Sequence, residues 1–159
     1  MSDVATVLEA DPQRLAEEAW SRLAALFWQR RPEWLKAGAA EGLTPPHAVA
    51  LMRLRDDAPP HLGHLARDMH CDASYATALA DRLEEKGLAT RRPSPQDRRA
   101  KELVLTEAGR AAQERLRASF RRPPPALLEL SQDELRTLVE IARRVSPDAG
   151  PVDWLPGTR

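Results

Sequence analysis

One cysteine in 159 residues leaves no partner for an intramolecular disulfide, so the chain is not a cystine-stapled scaffold and fits a reducing compartment. Net charge is missing too. Twenty-four Lys and Arg stand against 24 Asp and Glu, which excludes a generally polybasic binder; any contact with a polyanion must be concentrated in one place. No leader with a charged start and an apolar middle is present, and no apolar run is long enough to span a bilayer. The sequence therefore predicts a soluble, cytoplasmic protein with no membrane contact. There is no nucleophile–base constellation, phosphate loop or pair of catalytic carboxylates, so no enzyme activity and no cofactor are expected. Aromatic residues are few, and Trp is the commonest of them. The length suits one domain over 1–159, without internal repeats.

What is present is organised around the stretch from Asp72 to Thr106. Asp72 is a helix N-cap, and Ala76, Leu79, Ala80 and Leu83 then recur at helical spacing as one narrow apolar stripe. Two of these four are alanine, so the helix should pack close to its support. Ser74, Ala78, Asp81 and Glu85 fall opposite the stripe, with Tyr75, Thr77 and Arg82 on its flanks. The amino-terminal half of the outer face is thus small or polar, as a helix lying in a DNA groove requires. Gly87 ends the helix as a left-handed cap. Two short strands follow, Leu88 to Arg92 and Lys101 to Leu105, joined by a tip of turn formers and arginines. From Ala89 to Lys101 there are five positive charges, Arg91, Arg92, Arg98, Arg99 and Lys101, against Asp97 alone. In a neutral chain that excess points to phosphate contact or insertion into a minor groove.

A helix running straight into a basic hairpin is the plan of a winged helix-turn-helix, and here the sequence resembles the MarR family of transcriptional regulators. The resemblance is carried by Asp81–Arg82–Leu83–Glu84 with Gly87–Leu88, by Asp97 and Arg99, and by Leu105–Thr106 with Gly109, in that order and at those separations. It extends by pattern over about Leu15 to Val145. It implies a mainly α fold with a small β-hairpin wing and terminal dimerisation helices. The DNA-binding lobe would span about 44–106, the dimerisation helices about 11–35 and 107–146, and a tail 147–159. It also implies that Asp97 stabilises the wing tip while Arg99 enters the minor groove.

The remaining elements fit that plan. Trp20, Leu23, Ala24 and Phe27 form one stripe of a first helix that Pro32 is expected to interrupt at Arg31. Thr44 and Pro45 open a second helix carrying His47, Ala50, Leu51 and Leu54. Leu62, Leu65, Ala66 and Met69 mark the supporting helix, with His70–Cys71 as the turn before the recognition helix. Thr106 opens a helix that Pro123–Pro124–Pro125 must break, where family members more often have one long helix. Ser131 and Glu134 form a capping box ahead of Leu135, Leu138, Val139 and Ala142. The apolar surplus on the terminal helices predicts a homodimer.

The expected function is a sequence-specific regulator of double-stranded DNA, a repressor bound to a pseudo-palindromic operator. Its expected contacts are Ser74, Tyr75, Thr77, Ala78, Arg82, Arg91, Arg92, Arg98, Arg99 and Lys101. Tyr75 fits a phosphate contact or packing on the supporting helix equally well. Asp81 reads as an internal salt-bridge partner, and Arg82 as either its partner or a phosphate clamp. By resemblance, a small aromatic or phenolic effector binds where dimerisation helices meet the DNA-binding lobe, gathering Trp20, Trp28, Trp34 and His47; plain packing is the alternative for each. Two further readings stand beside this one. A winged-helix dimer without specific DNA reading would act through a protein partner. A metal-responsive regulator would use His61, His64, His70 and Cys71, although their placement on a helix and its turn favours no metal site.

Overall fold

The computed structural model of the chain describes residues 11–95 and 101–147. Seven helices and one hairpin follow in order: α1 (Pro12–Ala40), α2 (Pro45–Arg53), α3 (Leu62–Asp68), α4 (Ala73–Glu85), β1 (Ala89–Pro93), β2 (Lys101–Leu105), α5 (Glu107–Arg121), α6 (Pro125–Leu128) and α7 (Gln132–Val145). None of the described helices is long and apolar enough to cross a membrane.

Pro32 does not end the first helix. α1 runs through it to Ala40. A proline inside a helix removes one N–H donor and costs about 3 kcal/mol. The residues beyond it give the helix reason to continue: Ala37 packs on the core, and the Trp34 ring stacks on Phe120 at 4.7 Å. The chain divides into two compact units within this helix, one ending at Glu33 and one beginning at Trp34. In the first, Leu15, Trp20, Leu23, Phe27 and Trp28 are exposed, and Arg30 pairs with Glu33 at 2.7 Å.

The second unit holds the core. Ala76, Leu79, Ala80 and Leu83, the four stripe positions of α4, are all buried. Leu79, Ala80 and Leu83 share one cluster with Leu51 and Leu54 from the α2 segment, Leu65 from α3 and Leu116 from α5. Each fully buried leucine contributes about 1.5–3 kcal/mol relative to an exposed one. The turn before α4 places His70 at φ 50°, and Gly87 closes α4 at φ 67°. β1 and β2 are antiparallel, with Ala89 opposite Leu105 and Arg92 opposite Glu102. Extended backbone before the supporting helix adds to this hairpin: the Leu103 N–H donates to the Pro60 carbonyl at 3.0 Å, and His61 bridges Glu102.

Thr106 ties the wing to α5. Its hydroxyl accepts from the Gly109 N–H at 3.0 Å and donates to the Gly87 carbonyl at 2.6 Å. A Cβ on Gly109 would overlap the Leu88 carbonyl, so only glycine permits this approach. The buried Gln113 amide caps α2, donating to the carbonyls of Leu51 at 2.7 Å and Leu54 at 2.9 Å. The proline triplet does break the chain: α5 stops at Arg121 and α6 restarts at Pro125. The α7 capping box is formed on both sides, by Ser131 and Glu134.

Candidate nucleic-acid interface

The outer face of α4 is set by its cap. Asp72 accepts from the Tyr75 N–H at 2.7 Å and the Ser74 hydroxyl at 2.5 Å. The Ser74 hydroxyl first, then the Tyr75 N–H, hold the Asp72 carboxyl below its ordinary range. Ser74, Tyr75, Thr77 and Ala78 are all exposed, Tyr75 at 45%. The Thr77 hydroxyl donates to the Ala73 carbonyl at 2.8 Å. Both hydroxyl hydrogens are therefore used within the helix. Toward a base edge, Ser74 and Thr77 offer acceptor lone pairs and the Thr77 methyl. Such groups match the exocyclic amines of cytosine or adenine and the thymine methyl.

The cations divide into two sets. Arg92 and Lys101 are exposed on the wing strands, Arg92 lying 3.3 Å from Glu102. Arg82 is half exposed and pairs with Glu85 at 2.9 Å, not with Asp81. Arg91, grouped by its sequence position with the phosphate-facing arginines, turns inward instead. Its side chain is 17% exposed and its guanidinium reaches Asp81 at 2.7 Å and Glu84. Asp81 is thus an internal partner, of Arg91 rather than Arg82. Asp97, Arg98 and Arg99 lie outside the described residues.

Sequence reading missed the centre of the wing base. Glu102 is 5% exposed, accepting from the Ser94 hydroxyl at 2.8 Å and from Arg92. The Ser94 bond first, and then Arg92, keep its carboxyl below the usual glutamate range against the opposing effect of burial. A glutamate beside Lys101 on a short strand reads as exposed. The available signal was Pro59–Pro60, which forces extended backbone able to cover the β2 edge.

The expected effector residues divide between the units. In the first, Trp20 and Trp28 are exposed, and Trp28 meets Phe27 edge to face at 5.9 Å. In the second, Trp34 stacks on Phe120, and His47 Nδ1 lies 2.5 Å from the Thr44 hydroxyl. Burial first, then the cations of Arg82 and Lys86, hold the His47 imidazole below its ordinary pKa. His61 and His64 face each other at 5.8 Å beside an open cavity of about 770 Å³ that Asp68, Arg92 and Glu102 also line. Among the described residues, no three His, Cys, Asp or Glu converge as metal ligands would.

A supporting helix, a recognition helix and a cationic hairpin in this arrangement define a winged helix-turn-helix. A family model described as MarR family matches residues 43–101. The HTH-type transcriptional repressor MdtR of Bacillus subtilis (strain 168) is 36% identical over 87 residues, which is 55% of this chain and 56% of that protein. The chain thus matches about half the length of that curated relative. A MarR family protein from Bacillus stearothermophilus shares the fold, with a TM-score of 0.72 at 23% identity over 87% of this chain and 97% of that one. The transcriptional repressor CouR, solved bound to a 23-mer DNA duplex, is 26% identical with a TM-score of 0.57, over 87% of this chain and 99% of that one. Residues 43–101 thus match the MarR family, whose members are transcriptional regulators rather than enzymes.

Proposed function

We propose that this protein is a homodimeric transcriptional repressor that reads a pseudo-palindromic operator and is released by a small aromatic or phenolic effector. The observation that carries it is the exposed face of Ser74, Tyr75, Thr77 and Ala78 on a helix that continues directly into a wing bearing Arg92 and Lys101. In this reading α4 lies in the major groove, Arg92, Arg98 and Lys101 neutralise phosphates, and Arg99 enters the minor groove with Asp97 holding the tip. The DNA-bound state of CouR supports the docking mode. A second copy of the chain would cover the apolar surface of α1 and α7, where Val139, Ile141 and Val145 are exposed.

Release requires an effector that binds one arrangement of the DNA-reading lobes better than another. Trp20 and Trp28 offer exposed indole faces in the first unit, and in the second Trp34 offers an indole face and His47, its pKa lowered first by burial, a ring nitrogen for a phenol or carboxylate.

Selection of bound duplexes from a random DNA pool tests this function. The expected product is a pseudo-palindrome with half-sites about one helical turn, ~10 bp, apart. Recovery of no shared sequence would reject specific reading. Aromatic acids and phenols that quench Trp emission should also release the selected duplex. If they act equally well on a folded, operator-binding variant with Trp28→Leu and His47→Ala, the effector site lies elsewhere.

A further inference from the structure

The side chain of Arg91 departs from the role its sequence position suggests. It stands on β1 among the wing cations, yet three groups of the recognition helix hold its guanidinium. Nη1 pairs with Asp81 Oδ1 at 2.7 Å and donates to Glu84 Oε2, and Nη2 donates to the Thr77 carbonyl at 3.3 Å. The Arg91 backbone N–H donates to the other Glu84 oxygen at 2.6 Å. One residue of the wing is therefore fastened to three successive turns of α4, at Thr77, Asp81 and Glu84. With the Arg91 side chain 17% exposed and Glu84 30% exposed, the Glu84 bonds are partly shielded from water and lose less to screening than a surface pair, while Asp81 is the more exposed partner at 54%.

We infer that Arg91 is a positioning residue: it fixes the wing relative to the recognition helix, so that groove reading and wing contact occur in one register. This inference rests on the DNA-reading function proposed above. Two physical points carry it. A guanidinium facing two carboxylates and a carbonyl has little positive field left for a phosphate. A planar fork can also engage several oxygens in fixed directions, which the point charge of a lysine cannot reproduce. Arg92 and Lys101, exposed on the same two strands, remain the cations available to DNA.

The test compares the full-length protein with Arg91→Gln, Arg91→Lys and Glu84→Gln, each titrated over a salt series against the selected duplex and a scrambled one. Positioning predicts that Arg91→Gln loses about tenfold in affinity for the selected duplex, with less loss on the scrambled one. Its slope of log K against log salt should match wild type. Arg91→Lys should restore little. Glu84→Gln, which removes a negative charge near DNA, should still weaken the selected complex. A phosphate contact predicts instead a slope shallower by about 0.9 per protomer, recovery by lysine, and equal or tighter binding by Glu84→Gln. Any of these three results overturns the inference.

A measurement without DNA separates this proposal from the function it rests on. Amide hydrogen exchange across β1 should quicken in Arg91→Gln and Glu84→Gln but not in Lys101→Gln. Unchanged exchange in both would overturn the positioning role whatever the protein binds. If Arg91→Gln does not fold, Arg91→Lys and Glu84→Gln carry the same comparison.

Discussion

The hydroxyl of Ser94 donates to Glu102 at 2.8 Å, and the two residues are among the most deeply buried polar groups described, at 1% and 5% exposure. The pair joins the end of β1 to the start of β2, where the hairpin leaves the core. A buried carboxylate is tolerable only when its oxygens are satisfied, here by Ser94 and Arg92.

Ser94→Ala should therefore lower the melting temperature at neutral pH by a few degrees. The loss has a defined pH dependence. The folded-state pKa of Glu102 is depressed, so its stabilisation is present above the ordinary glutamate range, about 4.3, and fades as pH falls through the lower folded value. The melting difference between wild type and variant should narrow below about pH 4. A gap that stays constant from neutral to acid would separate Ser94 from the Glu102 charge.

Two glycines should respond to alanine with opposite signs. Gly109→Ala drives a methyl into the Leu88 carbonyl and toward Leu105, and should cost about 3 kcal/mol, seen as a lowered denaturant midpoint. Gly63 in α3 has nothing within 4 Å of the new methyl, and Gly63→Ala should stabilise by about 0.5–1 kcal/mol. Equal effects at the two sites would contradict the close approach of α5 to Leu88.

Much of this architecture was legible in the sequence, where one physical rule dominates locally. The α4 stripe, the Asp72 cap, the left-handed Gly87 and the Ser131 capping box follow from helical period and cap chemistry, and each is present. The strands were legible to within a residue at their ends. Pro32 misled because local propensity was overruled by tertiary contacts beyond it, at Trp34 and Ala37. The inward turn of Arg91 and the burial of Glu102 were invisible for a related reason. Composition counts charges, but which charge faces which is fixed by packing between elements distant in sequence. Asp81 was an exception, since a carboxylate on a groove-facing helix needs a cation nearby; its identity as Arg91 was not readable.

The wing cations should separate by mechanism. Arg99→Ala is expected to weaken the selected complex by about 1–3 kcal/mol while sparing the fold, as loss of a groove contact would. Lys101→Ala should instead weaken selected and scrambled duplexes alike and make the salt slope shallower by about 0.9 per protomer. Fluorescence anisotropy over a salt series measures both. Unchanged affinity of Arg99→Ala would remove the minor-groove assignment.

Self-association should depend on α7. Its apolar residues Val139, Ile141 and Val145 are 46%, 50% and 80% exposed in the single chain, and no residue of the helix is buried. Ile141→Asp with Val145→Asp should shift sedimentation from dimer toward monomer, and operator affinity should fall with it. A double variant that remains a dimer at the wild-type concentration dependence would place the interface elsewhere.

The central claim is that α4 reads sequence as one of a symmetric pair. Its most direct measurement is a titration of the selected duplex alongside duplexes with one or both half-sites scrambled, at a single fixed salt concentration. The account predicts two protomers per intact duplex and a preference over the fully scrambled duplex of at least ~10³-fold. Scrambling one half-site should remove a large part of that preference. Equal affinity for all three duplexes, or one protomer binding the intact site as tightly as two, would contradict it.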